Sequence, residues 1–231
     1  MSYSLRIADR SRKENQVNLC LWSRIPKTGS TSLHERFVAH GVYRSVPDTE
    51  AMLIQFPNAT VIDCWHSTPQ QIVERGWFTE DALRRAFVFT VVRNPWARFA
   101  SLWFGIGTDE RWTDSFEEFL TEALLNPQPA TKQTSFAASQ TEWLMLGEVP
   151  IVDLTMRMER LDDEFPMLAG LLGIENVPLG LHNVHDHPPY TGLYNERTID
   201  LVANIDAWTI KRFGYRYGED LKCTMPAFNR K

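Results

Sequence analysis

The run AFVFTVVRNPWARFAS, residues 86–101, decides the fold. Its first seven residues are β-branched or aromatic almost throughout, as expected of a strand buried on both faces. Asn94-Pro95 follows at once and marks a helix start, with Pro95 at the first helical position and the helix running over 95–104. The same alternation recurs on either side. Residues 19–25 read as a buried strand followed by an amphipathic helix over 30–40. Residues 60–65 read as a strand followed by helical stretches over 69–75 and 79–85. Further helices are expected over 115–125, 140–146, 159–172 and 196–213, with a weaker strand over 150–155 and a surface loop at NPQPATKQT, residues 126–134. Strands alternating with helices predict an α/β fold with a central, mainly parallel sheet flanked by helices on both faces. Ligands of such sheets bind at the carboxyl ends of the strands. Three segments therefore hold the chemistry: 26–32, 65–68 and 93–95.

Composition removes several function classes. The chain has 231 residues, of which 43% are hydrophobic and 23% charged, with a mean hydropathy of −0.30. These are ordinary globular values, and a chain of this length buries roughly 70–75% of its unfolded surface. One domain over residues 1–231 is expected, with 1–16 as a peripheral segment. The net charge of −5 and pI of 5.7 do not suit a nucleic-acid binder. Three distant cysteines form no disulfide or zinc pattern, and residues 1–16 are polar rather than signal-like. The expectation is a soluble, cytoplasmic protein without a membrane span.

At the first strand end, Lys27-Thr28-Gly29-Ser30-Thr31-Ser32 joins a strand to a helix. Gly29 admits close backbone approach, the next amides form the positive helix N-terminus, and three hydroxyls and one lysine add donors. These parts suit a phosphate-type anion. The lysine precedes the glycine, so the GxxxxGK[ST] pattern of Mg²⁺-dependent NTPases is not met. At the third strand end, Arg93 leaves the strand and Ser101 follows two helical turns later. An arginine fork plus a hydroxyl suits a terminal phosphate dianion.

Together, IPKTGSTSL and FTVVRNPWARFASLW resemble the two cofactor motifs of sulfotransferases that use 3′-phosphoadenosine 5′-phosphosulfate (PAPS), and are closest to the carbohydrate sulfotransferase branch. The resemblance implies that Lys27, Thr28, Gly29, Ser30 and Thr31, with Ser32 beside them, hold the 5′-phosphosulfate. It implies that Arg93 and Ser101 hold the 3′-phosphate, and that the α/β fold is P-loop-like, a three-layer arrangement with the central, mainly parallel sheet between helices. Sulfuryl transfer to an acceptor hydroxyl, leaving 3′,5′-ADP and needing no metal, is the expected reaction. A carbohydrate is the expected acceptor, with a lipid or small-molecule alcohol as the alternative. A P-loop kinase or nucleotide-binding module is the rival class.

The reaction needs a base and a cation at the leaving oxygen. Lys27 suits the second role, and His66 suits the first because its ordinary pKa lies near neutrality. Asp63 is the fallback base, and His34 is expected to face solvent. Other groups carry weaker expectations. His182, His185 and His187 invite a metal reading that sulfuryl transfer does not need. Asn183 or Tyr190 is expected near the cofactor or acceptor. Gln140, Glu142 and Trp143 fall on one helix that lines an acceptor cleft or, for Trp143, the core. Arg157 and Glu159 are expected to form a buried pair bracing the sheet.

Overall fold

The computed structural model describes residues 19–46, 60–106, 115–125, 136–176, 179, 188–219 and 228–229. Among the described residues the central sheet has six strands. In chain order they are β1 (Leu19–Trp22), β2 (Tyr43–Ser45), β3 (Thr60–Asp63), β4 (Phe87–Val92), β7 (Leu154–Arg157) and β8 (Phe228–Asn229), arranged β2-β3-β1-β4-β7-β8. All neighbours pair in parallel except β8, which runs antiparallel to β7. The separate pair β5 (Met145–Leu146) and β6 (Val149–Pro150) forms a small antiparallel hairpin.

Helices cover both faces, as a parallel sheet requires. On one face α1 (Ser30–Ala39) and α7 (Leu161–Leu172) bury Leu33, Phe37, Phe165 and Leu168 against Cys20, Trp22, Val61, Phe89 and Met156. On the other, Leu21, Ile62, Val88 and Val92 meet α2 (Pro69–Glu74), α3 (Glu80–Arg85), α4 (Pro95–Ile106), α5 (Phe116–Leu125) and α6 (Thr141–Leu144). The split follows strand alternation: Val88 and Val92 face one layer, Phe89 and Val91 the other. The α/β reading therefore describes the molecule.

Boundaries differ from expectation where local pattern was overridden. The strand expected over 150–155 is displaced to β7, because Val149-Pro150 folds back into the hairpin with β5. The helix expected over 196–213 is two helices, α8 (Glu196–Ile205) and α9 (Ala207–Phe213), separated at Asp206. Strands β2 and β8 are too short to give a period-2 signal. The expected pair of Arg157 and Glu159 does not form. Arg157 instead donates through Nε to Glu164 of α7 at 2.9 Å, and Glu164 also accepts from the Arg157 amide at 2.6 Å. The loop 126–134 lies outside the described residues.

Candidate active site

Parallel strands bring their carboxyl ends to one edge, and β1 lies between β3 and β4 there. The loop after β1 is wound tightly. Lys27 has φ 66° and Gly29 φ 78°, the left-handed region that glycine tolerates and lysine does not favour. Thr28 closes the loop by donating its buried hydroxyl to the Ile25 carbonyl at 2.9 Å, so that hydroxyl is engaged within the loop. Gly29 caps α1 without a side-chain bond, and no acidic residue stands in the helix's first turn. The leading amides of Ser30, Thr31 and Ser32 thus form the positive end of a ten-residue helix.

Arg93 follows β4 directly. Its Nη1 donates to the Lys27 carbonyl at 3.1 Å, so the two strand ends adjoin. Burial works against the charge on both side chains. The Lys27 ammonium is held below the usual lysine range, first by desolvation and then by Arg93. Desolvation also lowers Arg93, opposed by Glu159, Tyr215 and Tyr190. Two cations thus stand together beside a helix N-terminus, an arrangement whose positive potential suits an anion.

Helix α4 lies behind this loop. Arg98 donates to the Pro26 carbonyl at 3.1 Å, and a Cβ at Gly105 would collide with Lys27 Nζ. Ser101 lies between them at helical spacings of three and four, on the face turned to the loop. Asn94 caps α4 through Oδ1, accepting from the Trp96 amide at 3.1 Å, which leaves Pro95 to start the helix without a lost bond. Glu159 accepts from the Asn94 amide at 2.6 Å and from the Tyr215 hydroxyl at 3.2 Å, fixing the chain where it leaves the strand.

The middle strand end is strained. Trp65 and His66 have φ 49° and φ 59°, and Ser67 N–H donates to the Cys64 carbonyl at 2.9 Å, closing a turn with two positive φ values. Such turns favour glycine and asparagine, so tertiary bonds hold this one. Asp63 Oδ1 accepts from the Trp65 amide at 3.0 Å, and Trp143 Nε1 donates to the His66 carbonyl at 2.9 Å. His66 Nδ1 lies 2.9 Å from the Arg24 carbonyl. A carbonyl only accepts, so Nδ1 carries the proton and Nε2 keeps its lone pair. Burial, with Arg24 next in importance, pushes the imidazole down to about 4. The ring packs against Phe136.

Several expectations change here. Asp63 is fully buried and accepts from Arg24 Nη1 at 2.6 Å and Tyr43 Oη at 2.7 Å in addition to Trp65, so it is a brace rather than a spare base. His34 is half-buried and packs edge-on to Tyr43, not turned to solvent. Trp143 is core. Gln140 is fully buried against Arg93 rather than lining a cleft, while Glu142 is exposed. Tyr190 accepts from the Gly218 amide at 2.9 Å and lies near enough to Arg93 to affect its charge. Asn183, His182, His185 and His187 lie outside the described residues.

Sequence reasoning passed over Arg98, Gly105 and the brace formed by Gln140 with Asp206. For Arg98 a signal existed. The segment PWARFASLWFGI holds one cation among apolar neighbours, and such a cation must be buried and fully bonded.

The family model described as the sulfotransferase family matches residues 15–222. Among solved structures, a sulfotransferase from Alicyclobacillus acidocaldarius aligns at 15% identity and a TM-score of 0.55, over 86% of this chain and 96% of that one. The mouse sulfotransferase SULT7A1 complexed with PAP aligns at 15% identity and a TM-score of 0.45, over 81% of this chain and 63% of that one. No curated protein matches the chain. The bacterial structure supports the fold, and the family match spans the loop after β1, the start of α4 and the turn at His66. The chain belongs to the sulfotransferase family.

Proposed function

We propose that the chain, acting as one domain, transfers the sulfuryl group of PAPS to a carbohydrate hydroxyl and releases 3′,5′-ADP. The observation that supports this most is the adjacency of the two cations, with Arg93 bonded to the carbonyl of Lys27 beside the α1 N-terminus. One end suits a 5′-phosphosulfate on the amides after Gly29, with Thr28, Ser30, Thr31 and Ser32 around it. The other suits a 3′-phosphate on Arg93 and Ser101.

In the reaction an acceptor oxygen bonds to sulfur as the bond from sulfur to the 5′-phosphate oxygen breaks. The acceptor proton passes to His66 Nε2, which the Arg24 carbonyl keeps available. Lys27 stabilises charge on the departing oxygen, where a fixed donor in a dry site has its largest effect. No step requires a metal. A neutral, buried imidazole is a weak base in the free protein, and the negative charge of a bound donor raises its basicity. The carbohydrate reading draws support from Trp65, 66% exposed next to His66, whose indole face matches the apolar face of a sugar ring.

Titration calorimetry tests the donor. 3′,5′-ADP should bind at least about 10²-fold more tightly than 5′-AMP, since it adds a charge-assisted fork to Arg93. Equal affinities would remove the 3′-phosphate subsite. A screen of sugars, lipids and phenols with labelled PAPS then identifies the acceptor class.

Gly105 gives a separate test of Lys27. The atoms that a methyl group would meet are the far end of a flexible side chain, so Gly105→Ala should move the ammonium and leave the helix in place. We expect an unchanged or slightly higher melting temperature, because alanine favours a helix by about 0.5–1 kcal/mol. Turnover should fall by about tenfold or more, as misplaced catalytic groups do. Normal turnover would mean that the position of Lys27 Nζ beside α4 has no bearing on the reaction.

A further inference from the structure

Strand β4 ends one residue too early to hold Arg93 by pairing, since its last partner in β7 is Val92 with Arg157. Gln140 takes over. Its Oε1 accepts from the Arg93 amide at 3.0 Å and its Nε2 donates to the Arg93 carbonyl at 2.9 Å. A primary amide presents donor and acceptor in one plane and so reproduces the two bonds of an adjacent strand. Gln140 is itself fixed by Asp206, whose Oδ1 accepts from the Gln140 amide at 2.8 Å and the Ser139 hydroxyl at 2.7 Å. Asp206 stands at the break between α8 and α9 with no exposure.

The other oxygen of Asp206 has no hydrogen bond among the described residues and lies 3.9 Å from Arg98 Nη1. Arg98 donates to the carbonyls of Pro26, Phe136 and Ala138, at 3.1, 2.6 and 3.0 Å. One buried carboxylate therefore stands behind both strand ends. It reaches Arg93 through Gln140, and the residue before Lys27 through Arg98.

We propose that Gln140 and Asp206 are positioning residues that fix the spacing of the two anion subsites, and that Gln140 sets selectivity for a nucleotide carrying a 3′-phosphate. The proposal rests on the donor reading given above. Holding the Arg93 main chain at both its amide and its carbonyl fixes where the guanidinium emerges. Without Gln140 that emergence varies, and the fork loses its alignment to a terminal phosphate.

The test is calorimetry of the full chain with 3′,5′-ADP and 5′-AMP, comparing the unaltered protein with Gln140→Met and Asp206→Asn. Methionine keeps the volume and removes both bonds. The preference for 3′,5′-ADP should drop about tenfold in Gln140→Met, with 5′-AMP affinity held within about twofold, in keeping with two lost hydrogen bonds. Asp206→Asn keeps an acceptor for Gln140 and removes the charge facing Arg98, so it loosens the loop before Lys27 relative to Arg93. It should weaken 3′,5′-ADP, which spans both subsites, by about threefold or more while 5′-AMP stays within about twofold. Equal weakening of the two would remove Asp206 from the spacing role. If the unaltered chain shows no preference, the donor reading itself falls. If it does and a folded Gln140→Met shows the same preference, the positioning role is wrong. A loss of melting temperature with equal weakening of both nucleotides likewise reduces Gln140 to a structural part. Should Gln140→Met not fold, Gln140→Glu carries the test. It retains the acceptor for the Arg93 amide, loses the donor to the carbonyl, and should also lower the preference; an unchanged preference would overturn the proposal.

Discussion

An Arg93→Ala chain should bind 3′,5′-ADP about 10²- to 10³-fold more weakly than the unaltered chain and bind 5′-AMP as before. Hydrogen bonds to a charged group contribute about 1.5–3 kcal/mol each, and a guanidinium fork makes two to a phosphate. The variant should fold. The bonds that hold this position belong to the main chain, namely the pair with Gln140, and truncation removes from the fold the contact of Nη1 with the Lys27 carbonyl. Arg93→Lys should recover part of the affinity, since a point charge replaces the fork but not its geometry. Equal weakening of both nucleotides would place Arg93 in the loop's architecture instead of at a 3′-phosphate.

His66→Asn should lower turnover by about 10²-fold or more, with 3′,5′-ADP affinity nearly intact. Asparagine is the informative replacement because it tolerates the left-handed backbone that His66 adopts and offers an amide donor for the Arg24 carbonyl. Alanine would add backbone strain to the loss of the ring. Near-normal turnover in His66→Asn would assign the base elsewhere, and Asp63 is already committed to Arg24, Tyr43 and Trp65. The pH dependence carries a second signature. With the imidazole at about 4 in the free protein, the acid limb of kcat/KM for PAPS, which reports the chain before the donor binds, should lie near pH 4 instead of 6.5. An acid limb near 6.5 would contradict the burial of this ring.

Stability follows from the same shift. The unfolded chain takes up a proton on this histidine near pH 6.5, and the folded chain does so near pH 4. Below 6.5 the unfolded state therefore binds more protons, and His66 lowers stability progressively as pH falls to about 4. The full effect is up to about 3 kcal/mol. His66→Asn should lack this part of the acid sensitivity, as read from denaturant unfolding at pH 7 and pH 5.

The architecture was legible because its cause is local. AFVFTVV followed by Asn94-Pro95 carries both the burial of a parallel strand and the start of the next helix, and β1 with α1 repeats the arrangement. What the sequence hid was tertiary. Nothing in Gln140 reveals that it bonds the main chain of a residue 47 positions earlier, nor in Asp206 that it stands behind the ends of both β1 and β4. Trp143 and Trp65 show the same limit. Composition makes either a stacking platform, yet one is packed in the core and the other stands 66% exposed. The strained turn at Trp65-His66 was equally invisible, since local preference argues against it and bonds from Asp63, Trp143 and Arg24 enforce it.

The most direct test of the account is a crystal structure of the full chain with 3′,5′-ADP. The account predicts one nucleotide lying across the ends of β1 and β4, its 5′-phosphate on the amides after Gly29 and its 3′-phosphate on Arg93 and Ser101. A nucleotide whose 3′-phosphate lies away from Arg93 while the loop holds the other end would contradict it.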